Sequence, residues 1–246
     1  MSDVRHWDRL TREELTALAP DALLVLPAGT TEQHGPHLAT GTDTLIAATV
    51  AERAAALAVR PGTILLAPPL AYGASAHHVP FGGTLSLGVA TFQAVLADLL
   101  ASASAAGVRR AFVLNGHGGN AAACAIAVSE ASRLHGLVCA TALVSELLGD
   151  HPADGPARGH AGSFETSIVL ALDPERVRPE RAAPSPGGAA RQRPPGLVVG
   201  EPGRWQELDG FTDRPDEASV ERGERLLAAC VAAAAAAFEE VASIGV

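Results

Sequence analysis

No block of Lys or Arg interrupts this sequence, and acidic residues outnumber basic ones, 27 to 18, for a formal net charge of −9. That balance removes the cationic surface on which a nucleic acid or an anionic membrane would dock. No charge-free apolar run reaches bilayer-spanning length, and the opening MSDVRHWDRL is too polar for a signal peptide, so no membrane partner and a cytoplasmic location are expected. Aromatic residues are scarce, at 4%. Cysteine is scarce too: Cys124, Cys139 and Cys230 are an odd count, scattered through apolar stretches. They fit reduced core residues and exclude a disulfide frame or a thiolate metal cluster.

What remains is abundant Ala, Leu and Val, with hydrophobic residues at 48% of the 246-residue chain. This is enough apolar surface for one sizeable core, and a single domain over 1–246 is expected. Strand and helix patterns alternate. Thr11 and Glu14 form a capping box for a helix to Leu18. A short buried strand is expected at Ala22 to Leu26, and further strands at Thr63 to Ala67, Ala111 to Leu114 and Leu137 to Val144. Helices are expected at Asp43 to Ala58, Thr91 to Ala106 before Gly107, and Asn120 to His135 before Gly136. Pro184 to Gly203 reads as a long loop, and Glu217 to Val241, with its alanine run, as a terminal helix. Such alternation implies right-handed crossovers and an α/β fold, a mainly parallel sheet with helices on both faces. Ligands of these sheets bind beyond the carboxyl ends of the strands.

Three clusters fall at such places. Glu32 and His34 project to the same side of an extended segment after the first strand, with His37 in the same turn and Asp43 opening the next helix. Asn115-Gly116-His117-Gly118-Gly119-Asn120 is a strand-to-helix turn; it lacks both the dinucleotide-binding glycine spacing and the P-loop Lys. Gly159-His160-Ala161-Gly162-Ser163-Phe164-Glu165 leads into an apolar segment, where Glu165 is either a helix N-terminal carboxylate or a ligand. Imidazoles and carboxylates at strand ends suit Zn²⁺, Mn²⁺ or Fe²⁺. Tyr72, His77 and His78 lie in a Gly- and Ser-containing loop that could line a pocket.

TEQHGPHL with Asp43, then NGHGGN, then HAG-x-x-ETS resembles the creatininase (creatinine amidohydrolase) family, in the family's order and over roughly Leu24 to Val177. The resemblance implies a three-layer sandwich and a binuclear amidohydrolase site. Asp43 would bridge two divalent ions, Glu32 and His117 would hold one, and His34 the other. His160 would act in acid/base work or hold substrate. Where creatininase has a Glu two residues after the NGH histidine, this chain has Gly119, and Glu165 is the expected replacement, as ligand or as base. His37, Tyr72 and His78 are the expected substrate-facing residues. Creatininase surrounds its substrate with tryptophans, whereas Trp7 and Trp205 lie outside the motifs, so creatinine itself is not the expected substrate. The family also includes deformylases of opened bases, a peptidase trimming a redox-cofactor precursor peptide (mycofactocin-type), and hydrolases of keto-inositols. A small-molecule amide is the expected substrate, with the precursor peptide or a non-catalytic metal-binding role as alternatives, and a homo-oligomer, usually a hexamer, is implied.

Overall fold

The computed structural model describes residues 4–57, 64–149, 159–188, 194, 197 and 199–246. Five parallel strands make one sheet in the order β1-β3-β2-β4-β5: β1 Arg5–His6, β2 Leu23–Ala28, β3 Ile64–Leu66, β4 Arg110–Asn115 and β5 Val138–Leu143. The expected α/β architecture is therefore present. Helices are α1 Arg12–Leu18, α2 Thr42–Leu57, α3 Val89–Ala105, α4 Ala121–His135, α5 Ser163–Leu172, α6 Arg204–Glu207 and α7 Val220–Ser243. Thr63 and Ala58, at the edges of the expected strand and helix, lie outside the described residues. So does much of the expected Pro184 to Gly203 loop; the residues of it that are described contain no helix or strand.

Period-two alternation sends β2 side chains to both faces. Leu23 and Val25 join Phe112 and Leu114 under α2, α5 and α7, while Leu24 and Leu26 join Ala111 and Val113 under α3 and α4. Both faces are buried, which is why these strands read as continuous apolar runs. The capping box of α1 forms, with Glu14 Oε2 accepting from Thr11 N at 2.7 Å. Gly136 ends α4 in the left-handed conformation at φ 66°. The terminal helix is long and apolar enough to cross a membrane. Here its apolar face, including Leu226, Leu227, Cys230, Val231 and Phe238, belongs to the core beside α2 and α5. Sequence reasoning did not anticipate β1, a two-residue edge strand whose burial gives no period to detect.

β3 lies on one side of β2 and β4 on the other. The strand order thus reverses between β2 and β4, and the crevice beyond their carboxyl ends is the topological switch point of the sheet.

Candidate metal centre

Glu32 and His34 leave β2, Asp43 sits in the first turn of α2, and His117 follows β4 directly. Asn115 shapes that last turn, accepting from His117 N at 3.0 Å and donating to His117 O at 2.7 Å. Asn120 ties it to the sheet by donating to Gly29 O and accepting from Ala74 N. His160 and Glu165 arrive at the start of α5, where Glu165 Oε2 accepts from Ala161 N at 2.6 Å. Glu165 thus sits in the first turn of α5 and holds the backbone that leads into it. Its Oε2 also lies 3.9 Å from His34 Nε2.

Backbone carbonyls settle how the imidazoles point. A carbonyl oxygen only accepts, so the ring nitrogen beside it carries the hydrogen. His34 Nδ1 donates to Glu32 O at 3.1 Å, His117 Nε2 to Ala74 O at 3.2 Å, and His160 Nε2 to Gln33 O at 2.9 Å. The remaining nitrogens converge on carboxylates. His34 Nε2 is 3.1 Å from Asp43 Oδ1, and His117 Nδ1 is 3.0 Å from Glu32 Oε1 and 3.3 Å from Asp43 Oδ2. His160 Nδ1 is 3.4 Å from Glu32 Oε1. Neutral imidazoles so pinned would set lone pair against lone pair. Among the described residues, both Glu32 oxygens and Asp43 Oδ2 are buried with no hydrogen bond. Such an arrangement calls for a cation between nitrogen and oxygen, and N/O donors of this type suit Zn²⁺ or Mn²⁺. Glu32-His34-His160, His34-Asp43-Glu165 and Glu32-His77-His117 each bring ligand atoms within 4.8 Å of one another. A carbonyl on the far nitrogen is the usual partner of a metal-bound histidine.

The electrostatics say the same. Burial opposes charge on His34, yet Asp43, Glu165 and Glu32 raise its pKa to about 10. Burial likewise opposes charge on His117, which Asp43 and Glu32 raise to about 10. Burial and the neighbouring Asp43 push Glu32 up, and burial lifts Glu165 to about 7. Burial works against ionised Asp43 too, but His34 and His117 hold its carboxyl well below the usual range. Without a metal, protons on the two histidines supply the missing positive charge. A histidine pKa raised from 6.5 to about 10 contributes stability that is complete below 6.5 and lost as pH rises through 10. Chelator-treated protein is therefore expected to lose melting temperature steadily between those values, and zinc-loaded protein to lose much less. Calorimetry across that range checks it; a flat profile for the chelated protein would count against the arrangement.

His78 Nε2 is 3.8 Å from Glu32 Oε1 at the wall of a pocket of about 280 Å³. Asp43, His117, His160, Glu165, His77 and Trp205 also line it. Burial depresses His78 to about 2 and His77 to about 4, and burial with the charge on His34 takes His160 well below its ordinary value. These rings are neutral. Trp205, on α6, meets His78 edge-on at 4.6 Å and His160 at 5.6 Å between centroids. Its place outside the motifs concealed this. His37 does not line the pocket: it is fully buried, stacks edge-on against Phe211 and donates from Nε2 to Ala161 O at 2.9 Å. Tyr72 is 48% exposed and also outside the lining. A larger pocket of about 350 Å³, walled by Trp7, Pro68, Pro69, Leu70 and Leu99, offers no acid, base or ligand.

Gly119 shows why a carboxylate cannot simply stand there. A Cβ would lie 2.3 Å from His117 Nε2 and 2.6 Å from Ala74 O, the hydrogen bond that orients His117. Gly119→Ala is expected to lower zinc affinity about 10- to 100-fold, as loss of a ligand's supporting contact does. Competition with a chromophoric chelator measures it.

The sequence matches the family described as Creatininase: Creatinine amidohydrolase over residues 8–238. The chain belongs to the creatininase family. It is thus a hydrolase of carbon–nitrogen bonds in a family that uses metal. The mycofactocin precursor peptide peptidase of Mycolicibacterium smegmatis is 37% identical over 226 residues, covering 90% of this chain and 85% of that protein. Creatinine amidohydrolase of Pseudomonas putida is 30% identical over 252 residues, with 92% of each chain covered. Among solved structures, a mutant creatininase complexed with creatine superposes with a TM-score of 0.83 at 28% identity, covering 99% of this chain and 100% of that one. A creatininase containing Mn gives 0.77 at 28% identity, covering 96% of this chain and 98% of that one.

Proposed function

We propose that this creatininase-family chain hydrolyses a C–N amide bond, cyclic or linear, with two divalent ions, Zn²⁺ or Mn²⁺ and with Fe²⁺ also suited to the donors. The observation that carries this is the convergence of the free His34 and His117 nitrogens on buried carboxylates that lack hydrogen-bond donors. Asp43 offers Oδ1 toward His34 and Oδ2 toward His117, so it is the carboxylate that would be shared between two ions. Glu32 and His117 would hold one ion, His34 and Glu165 the other. Divalent ions in such a pair supply a water acidic enough to act as nucleophile near neutral pH and polarise a carbonyl oxygen.

The chain's own groups do the rest. Departure of an amine needs a proton at nitrogen. His160 presents Nδ1 toward the site while Gln33 O holds its Nε2, so it can take a proton there and return it. Glu165, buried with Oε2 3.9 Å from His34 Nε2, is placed to serve as ligand or as base. Dialysis against chelator should abolish turnover of a panel of lactams, formamides and short peptides, and Zn²⁺ or Mn²⁺ should restore it. Turnover indifferent to chelation would sink the proposal.

Within that reaction, a peptide substrate is favoured over creatinine. Relatives named mycofactocin precursor peptide peptidase stand at 35% to 37% identity, against 30% for the creatinine amidohydrolase. Gly119, where the family pattern has a Glu, distinguishes this site further. Cleavage of short peptides, with creatinine untouched, is the expected outcome of the same panel. A cytoplasmic location, supported by the odd and scattered count of three cysteines, and a homo-oligomer, a hexamer by family resemblance, complete the proposal. Sedimentation velocity reads the oligomer directly.

A further inference from the structure

His78 has a buried ring nitrogen without a hydrogen bond, and a neighbouring side chain decides what that nitrogen can do. The ring is 1% exposed, and its Nε2 faces the pocket, 3.8 Å from Glu32 Oε1, with no hydrogen-bond partner among the described residues. Its Nδ1 lies 2.8 Å from Gln33 Nε2. The Gln33 amide is itself oriented by the backbone. Its Oε1 accepts from Gly35 N at 2.9 Å, and its Nε2 donates to Gly210 O at 2.6 Å. A flipped amide would set oxygen against the Gly210 carbonyl and NH₂ against the Gly35 N–H, so only one orientation satisfies both. An amide nitrogen cannot accept. His78 Nδ1 must therefore be the acceptor, and in the neutral ring the hydrogen resides on Nε2.

We propose that Gln33 is a positioning residue that locks His78 as the Nε2–H tautomer, so that His78 donates a hydrogen bond from Nε2 to the oxygen that gains charge as the substrate amide is attacked. The neighbouring histidine is the same tautomer but turns its other nitrogen to the site. His160, stacked on His78 with 4.1 Å between centroids, spends its Nε2–H on Gln33 O and presents a bare Nδ1. One residue thus sets both rings: the Gln33 amide makes His78 a donor, and the Gln33 carbonyl makes His160 an acceptor. Adjacent imidazoles with opposite faces toward the site give the pocket a group that can stabilise an oxyanion beside a group that can take a proton. No backbone motion is needed to switch between the two tasks, because each ring is held by a partner that cannot exchange roles.

The inference rests on the proposed amide hydrolysis for the identity of the oxygen, while the tautomer lock stands on hydrogen bonding alone. The experiment therefore has a part that needs no substrate. In zinc-loaded protein with ¹⁵N-labelled histidine, long-range ¹H–¹⁵N correlation should show His78 Nδ1 as a pyridine-type nitrogen and Nε2 as a pyrrole-type nitrogen. His160 should show the same pattern, its pyridine-type Nδ1 facing the site. In Gln33→Leu the single His78 pattern should give way to averaged shifts. A pyrrole-type Nδ1 in the native protein, or an unchanged pattern in Gln33→Leu, would overturn the lock.

Kinetics then tests the donor. His78→Phe should lower kcat about 100-fold or more with KM little changed, the scale of losing one oxyanion donor. His78→Gln, whose NH₂ can reach the Nε2 position, should recover at least about a tenth of the native kcat. Equal losses in the two variants, with zinc content and melting temperature native in both, would overturn the donor role. If native protein shows the predicted tautomers yet hydrolyses nothing in the amide panel, the reaction assignment fails and the lock stands.

Discussion

Asp43→Asn is expected to lower amide hydrolysis by about 10⁴-fold or more, the scale on which removing one member of a cooperating catalytic set acts. It should also reduce bound zinc from two ions per chain to one or none. Asp43 is buried, and its two oxygens face His34 and His117 from opposite ends, so no other side chain can serve both. Asparagine keeps the shape and removes the charge. Without that charge His34 and His117 lose the main cause of their raised pKa values and stay neutral near pH 7. The variant should therefore fold, with native circular dichroism, and its defect should lie in metal and turnover alone. Retention of more than a tenth of native activity, or of two ions per chain, would show that the bridge is elsewhere.

The second large effect concerns stability. Gly223→Ala should destabilise the protein by ~3 kcal/mol, the upper end for inserting a methyl into a close-packed site. That corresponds to a fall in melting temperature of roughly 6 to 12 °C for a chain of this size. At Gly223, α7 crosses α5 so closely that a Cβ would lie 1.8 Å from Ser167 O and 3.0 Å from Ala171 Cβ. Helix propensity alone predicts the opposite, a gain of ~1 kcal/mol for alanine over glycine. The sign of the change therefore decides whether packing or propensity governs this position, and calorimetry reads it. Because Ser167 lies two residues beyond Glu165 on α5, the variant should also bind the ion held by Glu165 more weakly.

Much of the site could be read from the order of residues because it is built at strand ends. Glu32, His34, Asp43 and His117 each sit within a few residues of a strand or helix boundary that apolar runs and glycines mark. Glu165 was recognisable for the same reason, one turn into a helix that follows Gly162. Side-chain direction within a turn was less legible. His37 shares a turn with His34, but Gly35 at φ 63° bends the chain, and the ring goes to Ala161 O beneath the site. Tyr72 stands in the expected loop and faces solvent. The places of Trp205 and of the Gly210 carbonyl at the site were not legible. They come from the far end of the chain, and nothing local announces that Gly210 O will meet Gln33 across 177 residues. Long-range packing put them there.

The switch point between β2 and β4 divides the pocket by order of synthesis. Pairing of those two strands already gathers Glu32, His34, Asp43 and His117, before α5 or α6 has been made. His160, Glu165, Trp205 and Gly210 close over them from the later part of the chain. A divalent ion captured during translation would thus meet Glu32, His34, Asp43 and His117 first, and Glu165 and the Trp205 wall last. Assembly of the centre is ordered in time, with the first four donors waiting for the last carboxylate and for the wall that shapes what the site acts on.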